Sequence, residues 1–383
     1  MDRPSSLLSA FDYQPRTRIV FGNDALEQVG ELARGLGARR VLLVTDRGIV
    51  TAGHPARATA FLEAAGIQVT LFDEVRENPT TADVDRCVEV ARMADVDFLI
   101  GLGGGSSMDT AKGCNFVLTN GGRIVDYWGI GKATKPMLPL IAIPTTSGTG
   151  SECQSFALIS NEVTHQKMAC GDSKAAAKVA ILDPLLTVSQ PPRVTACTGV
   201  DALAHAVETA VTKKRNALSG LFSKESFRLC ITGIERVLRD PRDLEARANM
   251  LLGSALAGTA IENSMLGAAH SAANPLTAHF GIVHGQAVGM MLPAIVRFNA
   301  EMPEARAFYL EHARAAGIGS IEELIARLQE ILVAAGMREP IASVDLALLP
   351  TLAAEAAEQW TATFNPRPIA AGDFERLYLE VLA

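Results

Sequence analysis

The sequence predicts an α/β fold with a parallel sheet in its first half and an all-helical fold in its second, on three observations. Between about residues 18 and 144, short continuous apolar runs such as Val41-Leu42-Leu43-Val44 and Phe98-Leu99-Ile100 alternate with stretches of helical spacing. Runs without polar alternation are buried on both faces, as strands of a parallel sheet are when crossover helices cover it. From about Val194 strand-like runs stop, and Ala- and Leu-rich segments with helical spacing take over. The third observation is the punctuation between the halves. Asp183-Pro184 and Pro191-Pro192 interrupt any regular element, which sets the expected domains at 1–190 and 191–383.

In order along the first half, a strand is expected at Arg18–Phe21, ending in Gly22. Helical periodicity then runs from Ala25 to Leu36 and stops at Gly37, a residue suited to a helix C-terminus. Arg40–Thr45 reads as a buried strand with Asp46 directly at its end. A helix over His54–Ala65, a strand at Gln68–Phe72, the loop Glu77-Asn78-Pro79-Thr80, a helix over Ala82–Met93 and a strand at Phe98–Gly101 follow. Right-handed crossovers between parallel strands place ligands beyond the C-terminal strand ends, where Asp46, Asn78 and Gly103 fall. In the second half, helices are expected over Gly199–Val211, Ser219–Arg239, Leu244–Ser264, Ala287–Phe298, Ala305–Ala316 and Ile321–Ala335.

Composition narrows the class. At 383 residues the chain exceeds one ordinary core, and 48% hydrophobic with 20% charged residues is globular, not disordered. A net charge of −7 argues against nucleic acid or an anionic membrane as partner. Met1–Pro15 has no leader-like apolar run, and no later run stays apolar for the thickness of a bilayer. The six cysteines are scattered without a Cys-x-x-Cys pair, which reads as reduced thiols in a cytoplasmic protein.

Two loops carry phosphate-binding chemistry. The strand at Phe98–Gly101 runs into Gly103, Gly104 and Gly105, and a helix then begins with Ser106 or Ser107 as its cap. Glycines let backbone approach a pyrophosphate, and a helix N-terminus offers N–H groups and positive potential. This is neither the G-x-G-x-x-G fingerprint nor a P-loop, because Lys112 comes too late. After the buried strand Leu140–Ile143 comes Pro144-Thr145-Thr146-Ser147-Gly148-Thr149-Gly150-Ser151-Glu152, whose hydroxyls and glycines suit ribose and phosphate. Two such loops in one sheet favour a dinucleotide. Asp46 at a strand end would accept from the adenosine ribose hydroxyls and repel a 2′-phosphate, favouring NAD over NADP; its plainer role is to cap the next turn.

The second half carries a metal pattern. Asp201 and His205 are four residues apart, one above the other on a helix face, and can chelate a divalent ion together. His270 and His284 are the candidates to complete the set, near the ends of two different elements because Asn274-Pro275 and Gly281 separate them. One carboxylate and three imidazoles suit Fe(II) or Zn(II) better than Mg(II).

Taken together, these residues resemble the iron-containing (group III) alcohol dehydrogenase family over nearly the whole chain. The likeness lies in Phe21-Gly22, Val44-Thr45-Asp46, Asn78-Pro79, the run from Gly103 to Lys112, the run from Pro144 to Glu152, Ala180 to Pro184, Thr198 to His205, His270, Val283-His284-Gly285 and Asn365-Pro366-Arg367. The resemblance implies an α/β dinucleotide-binding domain and an all-helical metal-binding domain. It implies metal ligation by Asp201, His205, His270 and His284. It also implies cofactor contacts from Asp46, Asn78, Gly104, Gly105, Ser106, Thr145, Thr146, Thr149 and Lys167, with Gly103 and Asp109 in the same motif. The reaction implied is the reversible NAD(H)-linked interconversion of an alcohol and an aldehyde or ketone, with Fe(II) and, alternatively, Zn(II).

The sequence departs from the family at one place. Four residues after the third ligand the family commonly has a second histidine near the nicotinamide, and here that position is Asn274, an amide that cannot titrate. His279 lies close by in sequence and is the substitute to weigh against a plain surface histidine. Alternative readings are a maleylacetate-type reductase or another reaction on the same scaffold, for which Lys213, Lys214 and Arg215 are the candidate anion partners, and a non-catalytic metal or nucleotide sensor. A homodimer or higher homo-oligomer is the expected assembly, since symmetric dimers are the commonest choice.

Overall fold

A computed structural model describes residues 10–164, 166–337 and 345–382; the first nine residues of the stretch read for a leader lie outside them. The described chain forms two compact units, one spanning Pro15–Gln190 and the other residues 191–382 together with residues 10–14.

The first unit contains β1 (Arg18–Phe21), α1 (Val29–Gly35), β2 (Arg40–Val44), α2 (Arg47–Thr51), α3 (His54–Ala64), β3 (Gln68–Phe72), α4 (Thr81–Met93), β4 (Phe98–Gly103) and α5 (Gly105–Asn120). It continues with β5 (Gly129–Ile130), β6 (Leu140–Pro144), β7 (Phe156–Ser160), β8 (Lys167–Gly171) and β9 (Val179–Leu182). Six strands form one sheet in the order β1-β9-β6-β4-β2-β3, and each neighbouring pair is parallel. The continuous apolar runs are explained by this arrangement. Successive strand residues point to opposite faces, so Leu42, Val44, Leu99 and Ala142 enter one core with α4 and α5. Val41, Leu43, Phe98, Ile100, Ile141 and Ile143 enter the other with α1 and α3. The chain moves outward from β2 to β3 and then returns to the other side of β2 with β4, so the strand order reverses between β2 and β4. Ligands of open α/β sheets bind at the carboxyl ends on either side of such a switch.

Several features of this unit differ from the sequence reading, among them α2 and β9, which were not expected. A small sheet, β5-β8-β7, was not expected; β5 has only two residues, too few for a periodicity to register, while β7 and β8 have five each, as many as β2. The expected serine cap of α5 is absent: the helix begins at Gly105, its N-cap is Gly104, and no side chain caps its first turn. The residue before the N-cap, Gly103, is the one that must be glycine: its φ is 149°, and a Cβ there would stand 2.4 Å from Ser107 Oγ.

The second unit is helical: α6 (Pro192–Thr209), α7 (Ala217–Arg239), α8 (Leu244–Ser264), α9 (Ala268–Phe280), α10 (His284–Asn299), α11 (Pro303–Ala315), α12 (Ile321–Ala334), α13 (Leu349–Glu358) and α14 (Ala371–Leu382). One apolar core joins them, and α6 is its central member, with Ala202, Leu203, Ala204 and Ala206 all fully or almost fully buried. Small residues along α6 let α7, α8 and α10 approach it closely. Asn274-Pro275, read as a separator, lies inside α9. Among the described residues no helix is long and apolar enough to cross a membrane.

Candidate active site

In the helical unit, α6 presents Asp201, His205 and Glu208 at helical spacing on one side, all at most 5% exposed. His270 is the third residue of α9 and His284 the first of α10, so both histidines sit at helix starts. Asp201 Oδ1 lies 3.6 Å from His205 Nε2, 3.4 Å from His270 Nε2 and 4.0 Å from His284 Nε2. Ligand atoms of Asp201, His270 and His284 all fall within 4.8 Å of one another, while His205 meets the group through Asp201 and by stacking its ring on His270 at 4.7 Å. A tetrahedral ion with bonds of about 2.1 Å separates its ligand atoms by about 3.4 Å, so these spacings fit a shared divalent ion. Asp201 Oδ1 and His270 Nε2 are buried, and neither makes a hydrogen bond. Two unsatisfied polar atoms aimed at one point are costly unless something binds between them.

The electrostatics agree. Burial opposes the charge on Asp201, but the imidazoles of His205, His270 and His284 hold its carboxyl well below the usual carboxylate range. Burial likewise disfavours a charged His270, yet the carboxylates of Glu208 and Asp201 push its pKa up to about 9. Such a concentration of negative potential attracts a cation. Sequence reasoning left Glu208 without a role. It accepts from His270 Nδ1 at 2.5 Å and from the Ala269 backbone N–H at 2.6 Å. Its position seven residues after Asp201, on the same helix face, was the available signal.

Asn274 lies one turn beyond His270 on α9 and donates through Nδ2 to Gln359 Oε1 at 3.0 Å. His279 is exposed and paired with Glu355 at 2.9 Å. Nine residues along a helix from His270 is about 13 Å, which makes His279 the surface histidine and not a replacement. The candidate anion partners are also occupied. Arg215 lies 3.6 Å over the Phe308 ring, Lys214 lies 5.2 Å over Phe364, and Lys213 donates to the Thr363 carbonyl at 3.2 Å.

In the α/β unit, the strand-end residues gather at the switch between β2 and β4. Asp46 Oδ1 caps α2 by accepting from Ile49 N–H at 3.0 Å. A Cβ added to Gly103 would stand 3.6 Å from Asp46 Oδ2 and 2.4 Å from Ser107 Oγ, one added to Gly104 3.5 Å from Thr146, and one added to Gly105 2.7 Å from Thr149. Thr145 N–H donates to the Gly103 carbonyl at 2.9 Å, tying the two glycine- and hydroxyl-bearing loops together. The hydroxyls of Ser107, Thr145 and Ser147 are buried without a hydrogen-bond partner, which fits a polar ligand laid over these loops. Ser106 is in the uncapped first turn of α5. Asp109 is one turn deeper: its Oδ1 accepts from Ser151 Oγ at 2.7 Å beside the fully buried Lys112, whose ammonium donates to Ser151 O, Ser151 Oγ and Phe156 O. Lys167 opens β8, and its charge reaches Asp109. Asn78, exposed at φ 53°, precedes α4; no contact joins it to the glycine loops among those described.

Comparison with known proteins gives the family of the chain. The family model "iron-containing alcohol dehydrogenase" matches residues 15–184, and the model for the C-terminal part of that family matches residues 195–382. Alcohol dehydrogenase 4 of Schizosaccharomyces pombe is 36% identical over 331 residues, covering 84% of this chain and 78% of its own. Among solved structures, a 1,3-propanediol oxidoreductase superposes with a TM-score of 0.92 at 31% identity, covering 97% of this chain and 100% of its own. A sulfoacetaldehyde reductase from Bifidobacterium kashiwanohense, solved with NAD+, gives 0.90 at 28% identity, covering 98% and 99%.

Proposed function

The chain belongs to the iron-containing alcohol dehydrogenase family, and from that premise we propose that it interconverts an alcohol and an aldehyde or ketone by hydride transfer with NAD(H), at a divalent metal held by Asp201, His205, His270 and His284. The observation that carries the metal assignment is the pair of buried, unsatisfied atoms Asp201 Oδ1 and His270 Nε2, 3.4 Å apart. Fe(II) is the first assignment and Zn(II) the alternative, since one carboxylate and three imidazoles accept both. When bound, the metal supplies Lewis acidity toward the substrate oxygen and the nicotinamide supplies the hydride acceptor or donor.

The remaining steps belong to side chains and backbone. Asp201 would bring the negative charge that offsets the ion, and the imidazoles of His205, His270 and His284 would hold it as neutral donors. Gly103, Gly104, Gly105 and Ser106 offer backbone N–H groups to the pyrophosphate at the start of α5, with Thr145, Thr146 and Thr149 supplying hydroxyls from the facing loop. Asp46 receives the adenosine ribose, and Asn78, Asp109 and Lys167 line the same binding region. Asn274 takes the position of the family's second histidine as a hydrogen-bonding amide; it neither gains nor loses a proton, so no proton passes through it. We assign the nucleotide to the unit of residues 15–190 and the metal to residues 191–382. The protein works in the cytoplasm, in keeping with six buried thiols and no disulfide, as a homodimer or higher homo-oligomer.

The test is metal-stripped protein reloaded with Fe(II) or Zn(II) and assayed for NADH oxidation against short aldehydes and ketones. Turnover should return with one metal. His270→Ala should lose both turnover and metal retention while still binding NADH. Full activity in the metal-free variant would overturn the metal assignment.

A further inference from the structure

Resting on the metal assignment above, we infer that Glu208 is a positioning residue of that centre: one oxygen fixes the His270 imidazole with its Nε2 toward Asp201, while the other pins the helix that carries it. Glu208 is 3% exposed, and its two oxygens face two different donors. Oε2 accepts from His270 Nδ1 at 2.5 Å and Oε1 from Ala269 N–H at 2.6 Å. With Nδ1 carrying the hydrogen, the Nε2 lone pair is the one left to face Asp201 Oδ1, 3.4 Å away.

The second oxygen addresses a weakness in α9. Its N-cap is Gly267, which has no side chain to cap the helix. The first-turn N–H groups are met instead from other elements: Ala269 by Glu208 and Ala268 by Asn365 Oδ1 at 3.4 Å. A Cβ at 267 would crowd both acceptors, standing 3.1 Å from Glu208 Oε1 and 3.2 Å from Asn365 Oδ1. A carboxylate at a helix N-terminus also gains from the helix dipole. Glu208 therefore sets the rotation of the imidazole and the position of its backbone together, through one rigid group on the helix that also bears Asp201 and His205. An amide cannot do both. It has one acceptor oxygen, so in Glu208→Gln either the imidazole N–H or the Ala269 N–H meets an NH2 group.

The experiment compares wild type, Glu208→Gln and Asn365→Ala in full-length protein, by Zn(II) affinity in chelator competition and by NMR of the histidine ring protons in the Zn(II)-loaded state. Wild type should show a downfield, slowly exchanging Nδ1 proton on His270. Glu208→Gln should lose that resonance and bind Zn(II) about 10- to 100-fold more weakly. Asn365→Ala loosens the same helix end without touching the imidazole, so it should lower the denaturant midpoint yet keep the downfield proton and near wild-type affinity. Unchanged affinity with the resonance retained in Glu208→Gln would overturn the inference, and so would the absence of that resonance from Zn(II)-loaded wild type, even if the variant does not fold. Failure of the underlying metal assignment looks different: wild type would bind no stoichiometric Zn(II), or Asp201→Ala would bind it as tightly, and the role of Glu208 would fall with it.

Discussion

Gly285 lies against Cys197 so closely that a Cβ on it would stand 2.1 Å from the Cys197 carbonyl oxygen and 3.3 Å from the Asp201 Cβ. This contact lets the first turn of α10, with His284 at its start, seat against α6 one turn before Asp201. The carbonyl is backbone within a helix and cannot swing aside. Gly285→Ala must therefore push α10 off α6 and carry His284 away from Asp201. We expect the denaturant midpoint to fall by an amount equivalent to about 1–3 kcal/mol, the usual cost of overpacking, together with loss of bound metal. Equal metal content in wild type and variant, measured by elemental analysis, would show that His284 tolerates the shift.

A substitution can separate the helix cap that Asp46 makes from the charge it carries. Its Oδ1 caps α2 through Ile49 N–H, and its negative charge sits beside Gly103 at the sheet switch. Asp46→Ser keeps an oxygen able to cap the helix and removes only the charge. A 2′-phosphate then meets no repulsion, and kcat/KM with NADP(H) relative to NAD(H) should rise by about tenfold or more, equivalent to about 1.4 kcal/mol. An unchanged ratio with an unchanged melting temperature would assign Asp46 to the cap alone.

The legible parts of this molecule are those whose signal is local. Strands such as Gln68–Phe72 and helices such as Ile321–Ala334 were readable because periodicity and nearby glycines are written in the segment itself. Helix α9 was not, because a proline at 275 reads as a break; the helix persists through packing on α10 and α13 that no local pattern encodes. The site divides in the same way. Asp201 and His205 announce themselves by spacing, whereas Glu208 acquires its role from His270, 62 residues away, and so looks like an ordinary helix carboxylate in isolation. The α5 cap failed for the opposite reason: two serines invite the cap assignment, but the tight turn at Gly103 moves the helix start back to Gly105.

His312 gives the helical unit a pH dependence of its own. It is 2% exposed, and burial lowers its pKa to about 4, outweighing the upward effects of the Phe308 carbonyl and the Glu311 carboxylate, while the Arg215 and Lys224 charges add a smaller lowering. The neutral ring donates from Nδ1 to the Phe308 carbonyl at 3.0 Å and meets Ser223 Oγ through Nε2 at 2.9 Å. Unfolded, the imidazole takes its proton near its ordinary value of 6.5; folded, it resists until about 4. Between those values the unfolded state binds more protons, so this contribution is complete above pH 6.5 and declines as the pH falls toward 4. The loss amounts to roughly 3 kcal/mol over that window. Urea unfolding of wild type and His312→Gln at intervals from pH 4 to 8 isolates it, since the other titrating groups cancel in the difference. The variant should be less stable at pH 8 through lost packing beside Phe227, and the gap should close as the pH falls. A gap that stays constant across the range would mean that the folded protein accepts the charge on His312 without cost.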